Sequence, residues 1–189
     1  MSQHSFGPLS PMDRIVIQGP SGSGKTTLAA ALAAQLGFPH LELDGIFHQR
    51  DWTPIELDEF RSAVDEFTAR PQWVIDGNYS NVRDIVWARA DLVAFIDLPR
   101  STVMSRIVKR TLRRVIRREE MWNGNRESFR NIVSLNPSKN IMLWSWTTHS
   151  KYHEQVPGEA RSQAHHARVV MLRTTQAVEA FLKSSGREW

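Results

Sequence analysis

Along this chain, short runs of consecutive apolar residues alternate with stretches whose apolar positions recur every three to four residues. Ile15-Val16-Ile17 is one such run; glycines end it, and it reads as a buried strand. Leu28, Leu32 and Leu36, with Ala29 and Ala33, form a helical stripe that stops at Gly37, a good C-terminal glycine. Leu41 to Leu43 reads as a second strand with Asp44 at its end. Thr53-Pro54-Ile55-Glu56 has the form of a capping box with proline at the first helical position. A helix burying Leu57, Phe60, Val64 and Phe67 is expected from there to Pro71. Trp73-Val74-Ile75 is a third strand, closed by Asp76-Gly77-Asn78.

A short helix over Val82 to Trp87 leads to a fourth strand, Leu92 to Ile96, and Ser101 or Thr102 can cap the basic helix beyond it. From about Glu119 to Lys139 the periodicity breaks into Asn-Gly-Asn and Asn-Pro, which reads as a mobile loop or lid. A helix carrying Trp144 and Trp146, a fifth strand Val169 to Leu172 and a helix bearing Val178, Phe181 and Leu182 complete the pattern. Strands that are apolar throughout, alternating with helices, predict an α/β fold: a parallel sheet of about five strands covered on both faces, in three α/β/α layers. The expected organisation is a single domain over 13–189 with the lid at about 111–140, preceded by a disordered lead-in, Met1 to Met12.

Composition narrows this only a little. Of 189 residues, 41% are apolar and 23% charged, an ordinary globular balance. No apolar run approaches the roughly 20 residues that span a bilayer, and the N-terminus lacks the basic start and apolar core of a secretory signal. The absence of cysteine excludes disulfides and thiolate metal sites and suits a cytoplasmic location. The net charge of +4 is unevenly spread: Arg100, Arg106, Lys109, Arg110, Arg113, Arg114, Arg117 and Arg118 succeed one another without an intervening acid. Such a run implies anionic ligands.

The sharpest motif is Gly19-Pro20-Ser21-Gly22-Ser23-Gly24-Lys25-Thr26, which matches G-x-x-x-x-G-K-[ST] without a mismatch, between a strand and a helix. Glycines let backbone N–H groups turn inward around phosphate oxygens, Lys25 reaches the β and γ phosphates, and the helix aims its positive dipole end at them. Thr26 offers a hydroxyl to Mg²⁺, and Thr27 extends the phosphate-binding set. Asp76, at the C-terminal end of an apolar strand, is the candidate acid for the metal. The expected cofactors are therefore ATP and Mg²⁺.

For the phosphoryl acceptor, Asp44 and Glu42 lie two apart at the end of the second strand, so strand alternation puts both carboxylates on one side. Such a pair can position a hydroxyl, serve as general base or help to hold Mg²⁺. Asn78, Tyr79 and Arg83 form a second group of candidate acceptor contacts, with His48 and Trp52 as weaker lining. Arg106 and Arg110, four apart on one helix face, are candidates to stabilise the transferred phosphoryl group, and Arg126 and Arg130 lie beyond them. The same basic run, with Trp122 for stacking, also admits a nucleotide-gated nucleic-acid-binding protein, although no complete nucleic-acid-binding motif is present.

These residues resemble the small-molecule kinase branch of P-loop proteins, the adenylate kinase and shikimate kinase type, from about Arg14 to Leu182. Within it, LELDGIFHQ, WVIDGNYS and RREEMWNGNRE are similar to a bacterial group of adenylate kinase-like topology modulation proteins. The resemblance implies that Gly19 to Thr26 binds ATP, that Asp76 orients the Mg²⁺ shell, and that Arg106 and Arg110 touch the ATP side. It also implies that Glu42 and Asp44 stand where shikimate kinases carry two alternating acids. Three features depart from those patterns: Asn78-Tyr79-Ser80 replaces the Pro-Arg of adenylate kinases, the glycine triplet of shikimate kinases is missing, and the lid lacks the paired acids that follow its arginines in adenylate kinases, with Glu119-Glu120 and the WNGNRE stretch instead. The expected activity is transfer of the γ-phosphoryl group of ATP to a small acceptor, with a nucleoside monophosphate as the alternative acceptor.

Overall fold

The computed structural model describes residues 13–127 and 141–185. The expected lead-in, the 128–140 part of the expected lid, and Arg130 with it, lie outside the described residues. In chain order the elements are β1 (Arg14–Gln18), α1 (Lys25–Leu36), β2 (His40–Glu42), α2 (Leu43–Phe47), α3 (Leu57–Thr68), β3 (Trp73–Asp76) and α4 (Arg83–Arg89). They continue with β4 (Leu92–Ile96), α5 (Arg100–Arg117), α6 (Ile141–Gln163), β5 (Arg168–Leu172) and α7 (Thr175–Ser184). Single 3₁₀ turns occupy Arg50–Trp52, Ser80–Val82 and Trp122–Gly124.

The five strands form one parallel sheet in the order β2-β3-β1-β4-β5. Alternation along β1 sends Ile15 and Ile17 to one face and Val16 to the other. The first layer packs Leu28 and Leu32 of α1, Val103 and Ile107 of α5 and Phe181 of α7. The second packs Phe60 and Val64 of α3, Val86 and Trp87 of α4 and Val156 and Ala160 of α6. Each fully buried side chain of this size contributes about 1.5–3 kcal/mol of hydrophobic free energy. This is the three-layer α/β/α arrangement expected from the sequence. None of the described helices is long and apolar enough to cross a membrane.

Three local expectations are corrected. The second strand stops at Glu42, and Asp44 sits in the first turn of α2 rather than at a strand end. Leu43 causes the break: it is buried and packs against Gly77, where an added Cβ would stand 2.7 Å from the Leu43 Cβ. Helix α3 starts at Leu57, after Glu56, with no side-chain cap, and Leu57 is 49% exposed. Pro54 instead bridges His48 in an antiparallel contact. Pro99, not Ser101 or Thr102, precedes the first turn of α5, again without a side-chain cap.

Candidate active site

The sheet register gathers the site. Ile17 pairs with Asp76, and Asp76 pairs with Glu42, so the chain leaves β1 into the phosphate loop beside two carboxylates at neighbouring strand ends. The loop itself is built from backbone conformations that side chains resist. Gly19, Gly22 and Gly24 have φ of +146°, +80° and +100°. At Gly22 a Cβ would lie 2.2 Å from Ile107 Cγ1, so α5 packs directly onto the loop and excludes any side chain there. Asn78 clasps the loop's first residue: its Nδ2 donates to the Gly19 carbonyl at 2.6 Å, and its Oδ1 accepts from the Gly19 N–H at 3.3 Å.

Thr26, in the first turn of α1, places its Oγ1 2.7 Å from Asp76 Oδ2 and 3.1 Å from Glu42 Oε1. The other oxygen of Asp76 is 2.7 Å from His40 Nε2, which fixes the carboxylate's orientation. Asp76 is 1% exposed. Among the described residues no cluster of three or more His, Cys, Asp or Glu could hold a metal unaided. A hydroxyl beside a buried carboxylate is nonetheless a hard-oxygen set that suits Mg²⁺, which takes one or two protein oxygens and completes its shell with phosphates and water. Thr26 and Asp76 would hold it, with Glu42 alongside.

Lys25 faces three acids and loses much of its hydration. Burial pushes its ammonium pKa down from the ordinary lysine value, opposed by Asp44, Asp76 and Glu42 and reinforced by Arg110. Glu42 moves the other way: burial raises its carboxyl pKa, helped by Asp76 and Asp44, while bonds from Trp122 and Thr26 oppose the rise. Arg106 Nη1 donates to the Ser23 carbonyl at 3.0 Å, and Arg110 Nη2 lies 3.5 Å from Ser21 Oγ. Both expected arginines of the R-x-x-x-R pair therefore reach the loop. Burial lowers the Arg110 guanidinium pKa, with Arg114 adding to the effect and Glu127 and Asp44 opposing it. Three others of the run are engaged elsewhere: Arg113 pairs with Glu119, Arg114 with Glu127, and Arg100 stacks over Trp146.

On the acceptor side, the Tyr79 hydroxyl donates to Asp44 Oδ1 at 2.5 Å and lies 3.4 Å from His48 Nε2. Burial lowers the His48 imidazole pKa, with Asp44 opposing, so the ring is biased to its neutral form. Phe47 and Phe60 flank Tyr79 at ring-centroid distances of 4.5 and 5.3 Å. Arg83 points elsewhere. It forms an ion pair with Glu159 of α6, and its guanidinium lies 4.8 Å from the Trp87 ring centroid. Of the expected acceptor group, Asp44, Tyr79 and Glu42 thus come together, Asn78 serves the phosphate loop, and Arg83 braces α4 against α6.

Sequence reasoning did not assign His40, Asn123, Asn125 or Glu127, and it gave Trp122 only as a stacking residue for nucleic acid. Trp122 Nε1 donates to Glu42 Oε2 at 2.8 Å, across 80 residues of chain. The Asn-Gly-Asn signature marked a turn there but carried no information about what the turn docks against.

Comparisons with known proteins agree with this geometry. Residues 15–97 match the family described as "ATPase family associated with various cellular activities (AAA)". The cytidylate kinase of Halorubrum lacusprofundi is 34% identical over 115 residues, covering 51% of this chain and 57% of that protein. The cytidylate kinase of Natronomonas pharaonis is 38% identical over 86 residues, covering 42% of this chain and 40% of that protein. The match thus spans little more than half the length of the first of these curated relatives and less of the second. Among solved structures, the shikimate kinase of Acinetobacter baumannii in complex with shikimate superposes with a TM-score of 0.55 at 17% identity, over 92% of this chain and 90% of that one. A gluconokinase from Sinorhizobium meliloti gives 0.51 at 19% identity, over 91% and 88%. With the phosphate loop and the 2-3-1-4-5 strand order, these likenesses show that the chain has the P-loop fold shared by small-molecule and nucleotide kinases.

Proposed function

We propose that the protein is a phosphotransferase that moves the γ-phosphoryl group of MgATP to a hydroxyl of a small acceptor held at Asp44. The observation that carries this reading is the set of carboxylates beside the phosphate loop: Thr26 Oγ1 lies 2.7 Å from Asp76 and 3.1 Å from Glu42, and Asp44 is held by the Tyr79 hydroxyl at 2.5 Å. The glycine loop and Lys25 would hold the phosphates, and Arg106 and Arg110 brace the loop from α5. Thr26 and Asp76 would hold Mg²⁺, which would supply charge neutralisation for the phosphates. The acceptor oxygen attacks the γ phosphorus, the bond from that phosphorus to the β–γ bridging oxygen breaks, ADP leaves, and Asp44 takes the hydroxyl proton. Tyr79, donating to Asp44, fixes the carboxylate for that role.

A phosphate acceptor is the second reading, favoured by the two cytidylate kinases that share up to 38% identity with this chain. It needs positive charge at the acceptor, and Arg83, the candidate clamp, is held by Glu159. The discriminating experiment is a transfer screen with MgATP and a panel of polyols, sugar acids, nucleosides and nucleoside monophosphates, following ADP formation. Turnover with a hydroxyl acceptor that disappears in Lys25→Met supports the reading. Turnover confined to the monophosphates replaces it with the second. No acceptor-dependent turnover at all, together with salt-sensitive nucleic-acid binding, sinks both.

A further inference from the structure

The segment from Met121 to Arg126 is fastened onto the residues just beyond β2. Asn123 Nδ2 donates to the His48 carbonyl at 2.7 Å and lies 3.3 Å from the Gly45 carbonyl. The Asn125 amide, 4% exposed, uses both ends: its Oδ1 accepts from the Trp52 N–H at 2.8 Å, and its Nδ2 donates to the Gln49 carbonyl at 2.8 Å and the Trp122 carbonyl at 2.9 Å. The Trp122 ring stacks on His48 at 5.9 Å and meets Trp52 edge-on at 6.4 Å. It also closes on Gly45, where a Cβ would stand 3.1 Å from the indole Cδ1. Asp51, Trp52 and Asn123 all have positive φ, 58°, 60° and 55°. For a bulky residue such as Trp52 this conformation persists only where surrounding contacts impose it.

One bond of this docking leads out of it. Glu42 accepts from Trp122 on Oε2 and from Thr26 on Oε1. The indole is therefore separated by a single carboxylate from the hydroxyl that would hold the metal. Glu42 also neighbours Asp76 in the sheet, so like-charge repulsion works against its position, and a divalent cation held at Thr26 and Asp76 would offset that repulsion.

We infer that Trp122 is a positioning residue that couples occupancy of the Thr26–Asp76 metal site to the docking of the Met121–Arg126 segment over the acceptor side. Loading of the donor side then strengthens the docking that completes the acceptor subsite. The inference rests on the phosphotransferase reading for its purpose, but its physical content is a coupling between two places in the fold, measurable without turnover.

Hydrogen exchange on the full chain, followed in peptides covering residues 19–26 and 119–127, tests it with ADP plus chelator against ADP plus Mg²⁺. In the unsubstituted protein, Mg²⁺ is expected to slow exchange at 119–127 by about fivefold or more beyond ADP alone. In Trp122→Phe, which keeps an aromatic ring but removes the N–H, ADP still protects 19–26, and the Mg²⁺-specific slowing at 119–127 falls below about twofold. Asn125→Ala, which undocks the same segment from the other side, gives fast exchange at 119–127 with and without Mg²⁺. A wild-type response in Trp122→Phe, or protection at 19–26 with no Mg²⁺ effect at 119–127 in the unsubstituted protein, overturns the coupling alone. Absence of ADP protection at 19–26 overturns the phosphate-binding reading and this inference together.

Discussion

The phosphate loop, the proposed donor half of the site, and the proposed acceptor half around Asp44 are held by different means. The phosphate loop is fixed mainly by its immediate neighbours in the chain: a strand before it, glycines at positive φ within it, and the first turn of α1 after it. More distant segments then press onto that frame: Ile107 of α5 against Gly22, Asn78 on Gly19, and Arg106 and Arg110 on Ser23 and Ser21. The acceptor side has no such contiguous frame. Asp44 comes from α2, Tyr79 from the turn after β3, and Trp122 from beyond α5. The donor half is therefore a property of a short motif, whereas the acceptor half is a property of how three distant segments meet. A P-loop scaffold can keep the first while varying the second, and so take different acceptors on one fold.

The sharpest way to break the donor half is Lys25→Met. Loss of the ammonium is expected to lower phosphoryl transfer by at least about 10³-fold, since charge stabilisation dominates this chemistry. Without nucleotide the same substitution is expected to raise the melting temperature, because it removes an ammonium that burial disfavours. The stabilising shift that ADP and Mg²⁺ give the unsubstituted protein should vanish in the variant. The pH dependence has a definite sign. With the folded-state pKa of Lys25 below the ordinary 10.5, the unfolded chain binds more protons between the two values. Nucleotide-free stability attributable to this group therefore rises with pH across that interval, and Lys25→Met abolishes the rise. Melts of both proteins across alkaline pH check it.

Asp44→Asn is next in size. As the proton acceptor for a hydroxyl, Asp44 is expected to supply about 10²–10⁴ in kcat, while ADP affinity, set by the loop, changes by less than about threefold. Tyr79→Phe keeps the ring between Phe47 and Phe60 and removes only the bond to the carboxylate. A charge-assisted bond of this kind is worth roughly tenfold in rate. Equal loss of kcat and kcat/KM in Tyr79→Phe would place its effect in the transition state; loss in KM alone would make it an acceptor contact instead.

The two halves also differ in how far the sequence disclosed them. The cradle was legible because its residues are contiguous and its strand–loop–helix setting could be read from apolar runs on either side. Arg106 and Arg110 were legible because four-residue spacing fixes a shared helix face. Asp76 and Glu42 were placed near the loop from their strand ends, but not their pairing in one register, since strand order is a non-local property. Asp44 was expected at a strand end and stands instead in the first turn of α2. Leu43 prefers the core contact with Gly77, and that turns the chain into α2 before strand alternation can carry Asp44 outward. The bond from Trp122 to Glu42 spans 80 positions, and nothing local to either residue announces it.

The smallest expected effect decides most about the acceptor. Arg83 lies in the acceptor neighbourhood by sequence, yet its guanidinium is tied to Glu159 and covers the face of Trp87. Its side chain is 11% exposed, and its Nε has no hydrogen-bond partner among the described residues. Arg83→Gln removes the ion pair and the cation–π contact together, which at a partly exposed partner amounts to about 1–2 kcal/mol. For a chain of this length that is a fall in melting temperature of about 2–8 °C. If the acceptor is an uncharged hydroxyl compound, kcat and the KM for that acceptor stay within about threefold. A phosphate-bearing acceptor would instead draw Arg83 away from Glu159, and Arg83→Gln would raise its KM by an order of magnitude or more, the loss expected when one charge-assisted contact to a phosphate disappears. Steady-state kinetics on this one variant, read beside its melting curve, therefore separates a brace between α4 and α6 from a clamp on the substrate.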